Sequence, residues 1–118
     1  MQNVESIYPL SPMQLDMLLR SLQAPELAEY TEQVRWTMQG PLDAAAFEHA
    51  WRWLAGRHPV LRTVFFWKGL DTPVQVVRRA VEVKVETHDL AGLPADERDA
   101  RVEELMRRER RGFDLEAA

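Results

Sequence analysis

The chain has 118 residues, 46% of them hydrophobic and 29% charged, with a formal charge of −4. That balance reads as one soluble globular domain, and its acidity excludes a general nucleic-acid binder, which needs a dominant basic surface. No apolar run approaches the ~20 residues of a membrane span, no basic-then-apolar leader suggests secretion, and there is no cysteine. Disulfides, thiolate metal ligands and a cysteine nucleophile are thereby ruled out, and a reducing cytoplasm is the expected location.

The first predicted element is a helix over about 12–22. Ser11 stands as N-cap, Pro12 at the first helical position, and Gln14 is placed to close a capping box. Asp16 is read as complementing the dipole in the first turn, and Leu15, Leu18, Leu19 and Leu22 form one apolar stripe. Pro25 ends it. From Tyr30 the period changes: Val34, Trp36 and Met38 alternate with polar neighbours, the pattern of a half-buried strand. Gly40-Pro41 breaks that run, and Asp43 is placed to cap a second helix with a Phe47, Ala50, Trp51 and Leu54 stripe. Gly56 and Pro59 close it, with Arg57 and His58 near the negative end of the dipole.

Three strands are predicted next: Leu61–Trp67, Pro73–Val77, and a run in which Val81, Val83 and Val85 alternate with Glu82, Lys84 and Glu86. A charged helix from about Pro94 to Arg111 follows. Val102, Leu105 and Met106 are its thin apolar stripe, and Glu97/Arg101, Glu103/Arg107 and Glu104/Arg108 are its i, i+4 pairs. Gly112 stops it. Phe113 and Leu115 then have no further element to cover them. The order of elements predicts an α/β unit, an α+β sandwich with helices packed on a mixed sheet.

Each chemical candidate has a simpler account. His49 reads as a solvated helix residue and His88 as part of a polar strand face. No HExxH or HxH spacing builds a metal site. The Arg107–Arg111 cluster is explained by its acids one turn earlier and by the helix end it occupies. Trp36, Trp51 and Trp67 sit at core-face positions, whereas Trp53 falls off its stripe and faces another part of the chain or a partner.

Two stretches carry a family resemblance. Tyr8-Pro9-Leu10-Ser11-Pro12-Met13-Gln14 and Arg57-His58-Pro59-Val60-Leu61-Arg62-Thr63-Val64-Phe65 resemble, in this order, the first two signatures of condensation domains from nonribosomal peptide synthetases. Gly40-Pro41-Leu42-Asp43 and the closing Arg111-Gly112-Phe113-Asp114-Leu115 are family-like as well. Leu15-Asp16 stands where Glu-Gly is frequent, and Pro59 where Glu is frequent.

The resemblance implies the N-terminal part of the first lobe of a chloramphenicol-acetyltransferase-like fold, an incomplete lobe over 1–118. It implies an acyltransferase that joins a carrier-bound acyl or peptidyl thioester to the amine of a carrier-bound aminoacyl thioester. No cofactor is bound directly; substrates arrive tethered to phosphopantetheine. Partners are carrier proteins and the remaining synthetase domains, with no nucleic acid and no membrane. The family's catalytic histidine belongs to an HHxxxDG motif, and this sequence has no His-His pair, so it offers no catalytic residue and is expected to be inactive alone.

By the same resemblance Arg62 pairs with the aspartate of that motif, supported by Arg57 and His58, while Tyr8, Ser11, Pro12 and Gln14 form the first-signature helix entry. On local sequence alone, Arg62 reads as an exposed arginine at a strand start. A condensation-like module that only contacts a carrier protein or another chain is the alternative, and an uncovered sheet edge is expected to promote self-association.

Overall fold

A computed structural model describes residues 3–116. Strand β1 (Val4–Pro9) leads into helix α1 (Pro12–Gln23), and a 3-10 turn over Pro25–Leu27 follows. Helix α2 (Ala44–Arg57) runs through a second 3-10 turn, Pro59–Arg62, into β2 (Thr63–Phe66). Strand β3 (Val74–Arg78) and helix α3 (Ala95–Glu109) complete the order.

The helix boundaries follow from their caps. Ser11 Oγ accepts from Gln14 N at 3.2 Å, and Gln14 Oε1 accepts from Ser11 N at 2.9 Å, a complete capping box. Asp43 Oδ1 accepts from Ala46 N at 3.0 Å and starts α2. Past α3, Gly112 takes φ +87°, a left-handed conformation that costs a glycine little. Asp16 lies beyond the first turn of α1 and instead pairs with Arg20 at 3.0 Å.

Among the described residues the sheet is three-stranded, in the order β1-β3-β2, and both pairings are antiparallel. This corrects the expected mixed sheet: β3 returns beside β2 across a short turn, and β1 takes its other edge. Strand β1 lies outside the strands that the sequence pattern predicts. Its register slips between Val4, opposite Arg78, and Ser6, opposite Val77, so Glu5 is an extra residue and the period-2 pattern that announces a strand is broken.

The core is small. Leu18, Ala55, Val64, Val76 and Val77 are its buried apolar residues, and Val64 faces Val76 across the β2–β3 ladder. The stripes are only partly covered: Leu19 and Leu22 on α1 and Ala50 on α2 stay exposed. The chain extends 54 × 31 × 20 Å with a radius of gyration of 17.5 Å, against about 13.5 Å for a compact domain of this length.

Two expected strands form no ladder among the described residues. Residues 31–39 are irregular, and Val34, Trp36 and Met38 are 62–67% exposed where a dry face was expected. The polar side of this segment is the one held: Gln33 Nε2 donates to Met106 O at 3.1 Å, Arg110 Nε donates to Gln33 Oε1 at 2.9 Å, and Arg35 pairs with Glu103 at 3.4 Å. The alternation at 81–85 is real, with half-buried valines between exposed charges, yet no strand is placed beside it. On α3 the apolar stripe Val102, Leu105 and Met106 is half-buried. Its charges pair differently from expectation: Arg101 turns to Glu104 at 2.6 Å, Glu103 to Arg35, and Arg108 to Glu86 at 2.6 Å.

Candidate functional site

Arg62 is the buried charged residue among those described, with its side chain 7% exposed. It enters the interior because the 3-10 turn Pro59–Arg62 closes on Leu61 N donating to His58 O at 3.0 Å, which turns the last residue of the element inward. The expectation of an exposed arginine, drawn from local sequence, is thereby corrected.

The guanidinium ties three elements, α2, β1 and β3, to its own turn. Nε donates to Ala55 O at 2.8 Å, Nη1 to Glu5 Oε2 at 2.7 Å and to Arg78 O, and Nη2 to Gly56 O at 3.4 Å. A fixed fork of five donors suits this role, because the last carbonyls of α2 and the end of β3 both present unpaired oxygens. Glu5 supplies the negative charge that a buried guanidinium requires.

The other sequence-predicted residues do not join this cluster, and those of the first signature lie toward the other end of β3. Arg57 is the exposed last residue of α2, and His58 is its exposed C-cap, whose N–H donates to Leu54 O at 2.9 Å. Tyr8 lies on β1, half exposed, opposite Gln75. Ser11, Pro12 and Gln14 begin α1 as expected, and Gln14 also bonds Gln75. Sequence reasoning misses Glu5 and Gln75, because each acquires a partner only through the sheet. The signal available for Glu5 is a carboxylate interrupting an otherwise strand-like run.

His49, His58 and His88 are all exposed, and no trio of metal-ligating side chains is gathered among the described residues. His88 Nε2 lies 3.4 Å from Glu86 Oε2. The hydrogen bond from Arg108 holds the Glu86 carboxyl below the usual carboxylate range, and Lys68 is raised by its bond to Glu116. A groove of about 330 Å³ runs between the end of α1, Trp67-Lys68 and residues 111–116. Among the described residues no helix is long and apolar enough to cross a membrane.

The cluster offers no nucleophile and no free base. What it can do chemically is hold a rigid, buried guanidinium whose charge Glu5 compensates and whose nitrogens bind backbone carbonyls.

Comparison with known proteins agrees with the motifs. The model of the family described as Condensation domain matches residues 4–118. One of the proteins that make up the linear gramicidin synthase of Brevibacillus parabrevis is 42% identical over 118 residues, which is 99% of this chain and 2% of that protein. A component of the mycosubtilin synthase of Bacillus subtilis is 34% identical over 95% of this chain and 4% of its own length. Surfactin synthase subunit 3 of Bacillus subtilis (strain 168) is 34% identical over 95% of this chain and 9% of its own length. The chain therefore spans a small part of the relatives it matches.

Proposed function

The chain belongs to the condensation-domain family, and from that premise we propose that it forms the front part of the first lobe of a chloramphenicol-acetyltransferase-like domain. In the intact domain the amine of a downstream aminoacyl thioester attacks the carbonyl of an upstream acyl or peptidyl thioester. An amide bond forms, the C–S bond breaks, and the upstream carrier thiol leaves with the proton. Both substrates ride on phosphopantetheine arms of carrier proteins, and the reaction takes place in the cytoplasm.

This chain contributes support. Its 118 residues contain no His-His pair, so the histidine associated with the reaction in this family lies outside them. Arg62 is the residue that reaches toward the HHxxxDG aspartate as a positioning cation, with Arg57 and His58 shaping the turn that carries it. The observation that carries this reading is the family match across 4–118 together with both signature segments flanking one strand, β3.

The accessible surface supports an incomplete lobe. It measures 9737 Å², against roughly 6,600 Å² for a compact monomer of this mass. The exposed Trp36, Trp53 and Phe113 are the faces that a larger assembly covers.

A peptide-bond assay with loaded donor and acceptor carrier proteins tests the proposal. The chain alone is expected to give the background rate, and a longer domain that includes an HHxxxDG segment is expected to turn over. Turnover by the chain alone overturns the supporting role, and no turnover by the longer domain overturns the condensation reading.

A further inference from the structure

We propose that Glu5 is a positioning residue for condensation, acting through Arg62; this rests on the reading that Arg62 meets the aspartate of the HHxxxDG motif. Two independent features point to Glu5. Its carboxylate lies 2.7 Å from Arg62 Nη1, and the register slip of β1 falls on it.

The slip has a consequence for direction. A regular β1 would give every residue from Val4 to Ser6 a partner on β3. Here Val4 faces Arg78 and Ser6 faces Val77, so Glu5 is free of the ladder. A bulge bends the strand and re-aims the extra side chain, in this case toward Arg62. The bulge is fastened on its N-terminal side: Arg79 N donates to Asn3 O at 3.1 Å and Arg79 Nε to Val4 O at 3.0 Å, while Asn3 and Ala80 exchange two further bonds.

The donors of Arg62 are then unequally committed. Nε is taken by Ala55 O, and Nη1 by Glu5 and Arg78 O, while Nη2 makes one long bond to Gly56 O. An arginine with both terminal nitrogens open grips a carboxylate through two parallel bonds. Glu5 occupies Nη1 and so leaves the second carboxylate only the Nη2 side. It thereby sets where the motif's aspartate is held, and with it the loop that carries the histidine. A displacement of about 1 Å in such a loop costs on the order of 10²-fold in rate.

The test uses the condensation domain made of this chain and its continuation through an HHxxxDG segment, assayed with loaded carrier proteins. Glu5→Gln keeps the shape of the side chain and removes its charge. Its kcat is expected to fall about tenfold, the range found when the group behind a functional residue is lost, with KM for the acceptor carrier within about twofold of the parent. In an Arg62→Ala background Glu5→Gln is expected to cause no further loss, because it acts through Arg62.

A parental kcat per folded molecule overturns the proposal, and so do losses that multiply in the double variant. Should Glu5→Gln not fold, Glu5→Asp decides: its carboxylate sits one methylene back, and kcat is expected to fall about threefold at unchanged KM, whereas parental kcat overturns the role. If the parent domain itself makes no amide, the condensation reading fails, a result distinct from an active parent indifferent to Glu5.

Discussion

Gln14 and Gln75 exchange a reciprocal pair of side-chain hydrogen bonds, Nε2 of Gln14 to Oε1 of Gln75 at 3.2 Å and the return bond at 3.1 Å. The same Gln14 Oε1 accepts from Ser11 N, and Gln75 Nε2 also donates to Pro9 O at 3.2 Å. The capping box of α1 is thus fastened to β3. Because Tyr8 and Phe65 both stand opposite Gln75 in the ladder, one residue of β3 joins the two signature segments.

Replacing either glutamine by alanine is expected to cost about 1 kcal/mol, the net worth of a partly buried hydrogen bond. The double variant is expected to lose less than the sum, since each single change already breaks the shared pair. Chemical denaturation of the four proteins measures the coupling, and strict additivity would show that the pair contributes nothing.

Arg62→Ala leaves Glu5 and the carbonyls of Ala55, Gly56 and Arg78 without their donor. The expected loss is about 1–3 kcal/mol, the cost of carbonyls left without a donor, because Glu5 keeps 42% of its side chain exposed and its freed charge is solvated. Arg62→Lys is expected to recover only a minor part, because one ammonium cannot span positions held by a planar fork. Thermal melts followed by circular dichroism check this, and a parental Tm for Arg62→Ala would show that the cluster contributes no stability.

The Glu86–Arg108 bridge gives a pH dependence with a defined sign. The folded carboxyl is lowered by the hydrogen bond from Arg108, so its stabilising contribution is complete above the ordinary carboxylate range and is lost as pH falls through the lowered value. Carbon-detected NMR is expected to show Glu86 titrating below its unfolded value in the parent and closer to it in Arg108→Ala, where the weaker contact with His88 remains. High salt is expected to weaken the effect, because both side chains are exposed.

Val64→Ala removes two methyl groups from the most buried side chain of the core. The expected loss is about 2 kcal/mol. The same change at Val60, which is 76% exposed, is expected to fall within about 0.5 kcal/mol of the parent. Equal effects at the two positions in a denaturant titration would argue against the β2–β3 interface as the core.

Purified 1–118 is expected to self-associate and to bind hydrophobic dyes, given the exposure of Val34, Trp36 and Met38 along one run. Light scattering over a concentration series checks it. A well-dispersed monomer that binds no dye would show that these side chains need no cover.

Local features were legible in the residues themselves. Ser11, Pro12 and Gln14 specify the start of α1, Asp43 that of α2, and Gly112 the stop of α3, because caps and left-handed turns depend on residues within one helical turn. The signature segments determined the family for the same reason. Features that depend on partners far along the chain arose only from the folded packing. The alternation Val34–Met38 specifies two faces, but a ladder needs a neighbouring strand, and the segment instead gives its polar side to α3. Strand β1 was hidden because a bulge erases the period that would reveal it. The burial of Arg62 was decided by Glu5, 57 positions earlier, and by carbonyls from α2 and β3, since a charge enters an interior only where distant groups converge to receive it.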